Sequence, residues 1–347
     1  MTLETKNIFK TAAVYTGTVL GAGFASGKEL VSFFVCHGMP GVFGMILSGV
    51  FFSLIGFCVL KIVYEQKITN YHDFSVYIFG GRLGVLSEWL VCAFLLVLFS
   101  AMISAGGEMS HTVFKISRLK GEIILSLLCF ITFLFQLDGF VDINTLLAPI
   151  LVIGGIFTGI YIYICAPEAA ETFKPLLSDF LHTKNFVSSS LIYVSYNIIT
   201  AVTVLVSLNS LISSKRVSVF GGTLGGVCVC LLGISMSLPL FSQYNGIRSA
   251  QMPILNIVLN YRVLKYIYVI ILLSAIFTTA LANGFSLIQN FEKKKGGKLF
   301  IKIFLTLWGI AAAQIGFSAF IEHVYPFFGI IGLFEGIMII RAAIRKA

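Results

Sequence analysis

The sequence predicts an all-α integral membrane protein of about ten transmembrane helices, and three observations carry that reading. First, 58% of the 347 residues are hydrophobic and only 11% are charged, with a mean hydropathy of +0.97. A soluble domain carries about 25% charged residues; here there is too little polar surface to coat a globule, and bilayer hydrocarbon needs none. Second, ten apolar runs reach or approach the ~20 residues needed to cross ~30 Å of hydrocarbon. Third, the net charge of +9 is spread over the short connections between those runs, where positive charge fixes orientation. A nucleic-acid face would gather it on one element.

The runs are residues 8–35, 41–64, 83–111, 119–138, 142–165, 186–212, 217–240, 262–290, 298–315 and 319–343. The first, third and eighth are long enough to tilt or to contain a break. Only 65–82, 166–185 and 241–261 form extended connections, so no separate hydrophilic domain is expected. An even number of spans puts both termini on one side. That side collects fifteen basic residues, among them Lys6, Lys61, Arg82, Lys215, Lys294 and Arg341, against eight on the other, among them Lys115, Arg118, Lys174 and Arg262. The asymmetry predicts cytoplasmic termini. Five spans in 1–165 and five in 186–347, joined by the extracytoplasmic connection 166–185, give two halves of opposite sense. This is the topology of an inverted repeat, common among secondary transporters.

The seven cysteines include no C-x-x-C pair and mostly lie inside apolar runs, so neither a metal site nor a disulfide framework is expected. Residues 1–10 are polar and lack a small-residue cleavage site before the first run, so no removable signal peptide is expected. The five histidines fall near connections, which argues against a buried histidine relay. No His/Asp or Ser/Lys pair stands at matched depth, so enzymatic activity is not expected, and no filter-like stretch or charged ring suggests a channel.

The first run contains Gly17, Gly21, Gly23 and Gly27 within eleven residues, followed at once by Lys28 and Glu29. Glycine weakens a helix interior by up to ~1 kcal/mol relative to alanine and permits unwinding. Unwound backbone at membrane depth is tolerated only where it lines a cavity or is buried in protein. The competing explanation is helix packing through the G-x-x-x-G pairs 17/21 and 23/27. Lys28 and Glu29 favour the functional reading, because a charge at membrane depth costs at least ~2.5–3.5 kcal/mol and normally has a partner or a pathway. In the eighth run Ala275, Thr278 and Thr279 stand at i, i+3 and i+4, on one helix face. Their hydroxyls offer neutral oxygens to a small cation, or simply bond to the preceding turn.

The run GTVLGAGFASGKE, residues 17–29, resembles the signature of the YkvI family of bacterial membrane proteins. That family is similar to the amino acid–polyamine–organocation superfamily, with its leucine-transporter fold of ten helices in two inverted repeats. The resemblance implies a bacterial inner-membrane secondary transporter of a small organic solute, an amino acid or related zwitterion. It further implies a first helix broken at mid-membrane and a sodium ion, with no other cofactor. The implied sodium ligands are the carbonyls of Gly17, Leu20 and Ala275 and the hydroxyls of Thr278 and Thr279. The implied substrate lies beside Gly21, Ala22, Gly23 and Ser26.

The fold's sixth helix is also broken, yet the corresponding run here has neither glycine nor proline between Tyr193 and Thr203. A break there is therefore open, but its polar residues Tyr196, Asn197 and Thr200 remain candidates for the facing wall, with Ser104 of the third run. The fifth run has no Lys or Arg to replace sodium, as happens in some proton-coupled relatives. Gating or proton candidates are Lys28, Glu29, Glu108 and Glu335, whereas Glu88, Glu122 and Glu322 lie near span ends and are expected to be wetted. Two alternatives remain: proton coupling on the same fold, or a ligand sensor of the spore-germination receptor type.

Overall fold

A computed structural model describes residues 2–135, 140–165, 185–292 and 298–345; side chains are described except at 140–150, 289–292 and 298. The described residues form helices and turns. Each apolar run of the sequence falls on helix. The first run is divided into α1 (Leu3–Val19), α2 (Ala22–Ala25) and α3 (Lys28–Phe33). There follow α4 (Met39–Gln66), α5 (Tyr71–Phe79), α6 (Gly81–Phe114), α7 (Arg118–Leu134) and α8 (Phe140–Cys165). The second half comprises α9 (Phe186–Ser207), α10 (Lys215–Ser242), the short α11 (Tyr244–Ile247) and α12 (Pro253–Val258), α13 (Leu264–Glu292), α14 (Lys298–Ala313), α15 (Phe317–Ala319) and α16 (Tyr325–Ile344). A π-turn over Phe320–Val324 joins the last two.

By length and composition six of these elements are apolar and long enough to cross a membrane: those over 39–66, 81–114, 186–211, 215–242, 264–288 and 317–344. Their outer faces carry large apolar side chains at helical spacing, such as Phe43, Ile46, Val50 and Leu54 on α4 and Phe327, Ile330, Phe334 and Ile337 on α16. Soluble monomers rarely expose such continuous apolar surface; lipid is the solvent that suits it. The chain is a multi-pass membrane protein.

Small residues set the inner packing. Along α4 and α10, a Cβ on Gly222 would come within 2.4 Å of the Gly56 backbone, and one on Gly226 within 2.3 Å of the Ser53 nitrogen. The two backbones therefore touch, as small residues allow in a medium that supplies no hydrophobic drive for helix association. The same device recurs where Gly332 of α16 lies against the Ser195 carbonyl of α9. The partners pair off between halves: α1 on α10 matches α9 on α4, α1 on α8 matches α9 on α16, and α8 on α10 matches α16 on α4. The pairs α4–α10 and α6–α13 also pack across the two halves of the chain.

Two features go beyond the sequence reading. The sixth run is one continuous helix, α9, through Tyr193–Thr203, as its lack of glycine and proline allows. The connection 65–82 is not a plain loop, for it contains α5, capped by Asn70, whose side chain accepts from the Asp73 nitrogen.

Candidate functional site

The interruption of the first run has two distinct hinges. At the first, Leu20 adopts φ −81°, ψ 67°, and the Gly21 N–H donates to the Val19 carbonyl at 3.0 Å. This is an inverse γ-turn centred on Leu20. Because the Gly21 N–H turns to Val19, the Gly17 carbonyl loses its i+4 donor. The second hinge is Gly27, at φ +83°, a left-handed conformation that favours glycine. Between them, Ala22 and Gly23 are helical, so the unwound stretch is Leu20–Gly21, and of the residues placed beside the substrate only Gly21 lies in it. Gly23 serves close approach: a Cβ there would lie 2.1 Å from Glu29 Oε1.

A cavity of about 980 Å³ opens from this break. Its wall includes Gly17, Leu20 and Gly21 from the break, Thr278 and Thr279 from α13, Tyr196, Asn197 and Thr200 from α9, and Glu29. These nine candidates from the first run, the eighth run and the α9 wall thus share one space. Ala275 is buried behind it. Thr278 Oγ1 donates to the Ser274 carbonyl at 2.8 Å, which leaves its lone pairs available to a cation. Thr279 stands with its methyl 4.0 Å from a Cβ position on Gly21, so α13 flanks the break directly. Asn197 Nδ2 donates to the Tyr193 carbonyl (2.9 Å) and Thr200 Oγ1 to the Asn197 carbonyl (3.1 Å).

Other candidates stand elsewhere. Ser26 Oγ donates to the Gly23 carbonyl at 3.0 Å and accepts from the Lys28 nitrogen at 3.3 Å, fixing the bend. Ser104 Oγ donates to the Ala313 carbonyl at 3.0 Å, tying α6 to α14. Neither Ser26, Ser104, Ala22 nor Gly23 is among the lining residues. Glu108 forms an ion pair with Arg118 Nε at 2.7 Å, closing the α6–α7 corner. Glu335 is buried on α16 and accepts from the Tyr71 hydroxyl at 3.2 Å, while that hydroxyl also meets Ser87 Oγ at 2.9 Å. Burial and the adjacent Glu335 carboxylate push the Tyr71 hydroxyl, on α5 outside the spans, well above the usual tyrosine range. It therefore remains a donor.

One end of the cavity is open and the other shut. The mouth is formed by exposed Asn70, His72, Asp73 and Ser207, on the side that bears Lys61, Lys67 and Arg82. His72 Nδ1 and Glu88 Oε1 meet at 2.6 Å across it, joining α5 to α6. At the closed end, Lys28 Nζ pairs with Glu322 Oε1 at 2.6 Å. The Ile254 N–H donates to the Ser26 carbonyl at 2.9 Å, the Tyr268 hydroxyl donates to the Ala25 carbonyl, and Gln251 Oε1 accepts from the Ser318 nitrogen and hydroxyl at 3.0 and 2.8 Å. The connection bearing α12 thus lies across the second hinge. Sequence reasoning set Glu322 aside as a wetted span end; its partner lies 294 positions away, and no local signal announces it. Glu122, also expected to be wetted, is buried and accepts from Gln314 Nε2 at 2.6 Å. Tyr325, Asn283 and Phe94 line the cavity too, and apolar periodicity alone reads all three as ordinary helix-packing residues.

No family model matches the chain. It is 28% identical over 342 residues to the membrane protein YkvI of Bacillus subtilis (strain 168), covering 96% of both chains. It is 24% identical over 327 residues to YyaD of the same organism, covering 92% of this chain and 91% of that protein. Among solved structures, it is similar to an Eremococcus coleocola manganese transporter (TM-score 0.62, 14% identity, 96% of this chain and 78% of that one). It is also similar to Mhp1 in an inward-facing conformation (TM-score 0.59, 12% identity, 97% and 76%). The resemblance carried by residues 17–29 therefore extends over nearly the whole chain, which is similar to YkvI and has the leucine-transporter-like fold that Mhp1 and the manganese transporter share.

Proposed function

We propose that the protein is a secondary active transporter, moving a small organic solute, an amino acid or related zwitterion, by alternating access with sodium. The observation that carries this reading is one cavity at a helix break, walled by apolar side chains with a few polar groups among them, open at its Asn70–Asp73 end and closed by the Lys28–Glu322 pair at the other. A site reached from one side at a time is what alternating access requires. The paired exchange of packing partners between halves supports ten spans in two inverted repeats, 1–165 and 186–347, linked by 166–185. The basic-residue asymmetry supports cytoplasmic termini in a bacterial inner membrane, which makes this an inward-open state.

Sodium coupling rests on the released Gly17 carbonyl, the Leu20 turn and the Thr278 and Thr279 hydroxyls lining the same cavity, with the Ala275 carbonyl 3.4 Å from the Thr278 hydroxyl. The ion would hold the first helix against the eighth and so favour the substrate-receiving conformation. Proton coupling is the second reading, favoured by the buried acid Glu29 on the same cavity.

The test is ligand-induced thermal stabilisation of the purified full-length protein against a small-metabolite panel, in sodium and again in potassium, followed by uptake into proteoliposomes. Binding of native-state ligands raises apparent stability. Sodium-dependent binding and uptake support the proposal. Uptake driven by a proton gradient without sodium transfers coupling to Glu29, and binding without uptake points to a sensor.

A further inference from the structure

Glu29 is 4% exposed, lines the cavity, and its Oε2 has no hydrogen-bond partner. The neighbouring ammonium of Lys28 is engaged by Glu322. The Tyr196 hydroxyl faces the Glu29 carboxyl without completing a well-formed hydrogen bond, and the Tyr325 hydroxyl, in the same field, is also unpartnered. Asn283 Nδ2 of α13, which lines the same cavity, is unpartnered as well. Buried polar groups are normally satisfied, and unsatisfied ones call for a ligand, an ion or water. Four such residues on one cavity point to something the cavity receives.

The charge of the wall restricts what that is. In a chain of net charge +9, the described lining residues include Glu29, Asp73 and Glu88 but neither Lys nor Arg. Asp73 accepts from Asn70 Nδ2 at 2.7 Å, and Glu88 is held by His72. Glu29 alone of the three is unmatched. Around it stand Phe94, Tyr196 and Tyr325, with ring centroids 5.1–6.4 Å apart. Aromatic faces attract organic cations. They supply few of the oxygens that a small hard cation requires.

We infer that Glu29, backed by the aromatic wall of Phe94, Tyr196 and Tyr325, is the binding site for the ammonium group of the transported solute. This rests on the reading of the cavity as a substrate site and narrows it. The obligatory recognition element is a small amine cation, as a primary amine or as the amino end of a zwitterion. A simple anion is refused, because no fixed cation on the described wall would balance it.

The experiment measures thermal stabilisation of the full-length protein by n-butylammonium, γ-aminobutyrate, butyrate and n-butanol. The site predicts stabilisation by one or both ammonium compounds and by neither of the others. It also predicts an apparent affinity about 10- to 100-fold weaker in Glu29→Gln, the range for losing a charge-assisted bond. A Glu29 that only carries a proton predicts undiminished binding in Glu29→Gln, since the amide imitates the neutral acid. If Glu29→Gln does not fold, Phe94→Leu is used: ammonium binding must weaken with no gain in butanol binding.

Stabilisation by butyrate or butanol equal to that by butylammonium, no stabilisation by either ammonium compound, or undiminished binding in the variant overturns the inference. Flux is read separately. Glu29-dependent ammonium binding without proteoliposome uptake upholds the site and retires the transporter reading; uptake of an anion with no ammonium binding does the reverse.

Discussion

Gly27 has φ +83°, and a Cβ there would lie 2.6 Å from Ile254 Cγ1. Conformation and space both demand glycine, so Gly27→Ala should destabilise the protein by more than about 1 kcal/mol, measured as a lower melting temperature in detergent. Gly21 differs: its backbone is extended, at φ −75° and ψ 178°, and alanine there should be far milder. The threonines of α13 allow a sharper test. If Thr279 helps to hold sodium, ion and substrate must aid each other by equal factors, because linkage is reciprocal. Thr279→Val, and likewise Thr278→Val, should reduce sodium-induced stabilisation by roughly 1–3 kcal/mol. Thr132→Val, which removes a similar hydroxyl bonded to the Leu128 carbonyl away from the cavity, should leave the sodium response intact. Melting temperatures that fall equally in all three, with the sodium response unchanged, would assign the α13 hydroxyls to helix packing alone.

At the scale of elements, the closed end depends on α3 meeting the π-turn before α16. Lys28 is 5% exposed and Glu322 21% exposed in their side chains, so the pair is only partly desolvated. Removing one partner should therefore cost less than the ~3–5 kcal/mol of a fully buried pair. Glu322→Gln and Lys28→Gln should each lower the melting temperature, and the exchanged double variant Lys28→Glu/Glu322→Lys should recover part of the loss. A double variant no better than the sum of two single charge reversals would show that the pairing does not hold this end shut. At the other end, α5 is fastened by Tyr71 to Glu335 and by His72 to Glu88. Neither α5, which lies in a stretch read only as an extended connection, nor its fastening was legible in the sequence, for Glu335 lies 264 positions from Tyr71.

For the whole molecule, the fifteen-to-eight distribution of basic residues predicts that cysteines introduced at positions 2 and 345 resist an impermeant thiol reagent in intact cells and react after permeabilisation. Labelling of either in intact cells would reverse the orientation, and with it the inward-open description of the cavity. The pairing of α1 with α10 and of α9 with α4 carries a related expectation. Bulky residues at Gly225 of α10, where a Cβ would meet Tyr15 of α1, and at Gly44 of α4, where it would meet Ser190 of α9, should both disturb folding, read as lower melting temperatures.

The helices and their order were set by the sequence, because each apolar run satisfies its own backbone hydrogen bonds and lipid rewards its apolar surface wherever it lies along the chain. The first-run break was also legible, since four glycines and two charges in thirteen residues are a local signal. The location of the turn at Leu20, the cavity, the partners of Lys28 and Glu335 and the unmatched state of Glu29 were decided only by tertiary structure. Glu322, Tyr325 and Asn283 look alike in the chain to any polar residue near a span end or on a helix face. What singles them out is that helices far apart in sequence pack through small residues and bring them against the break, and a charge or hydroxyl acquires its meaning from the partner it meets or lacks there.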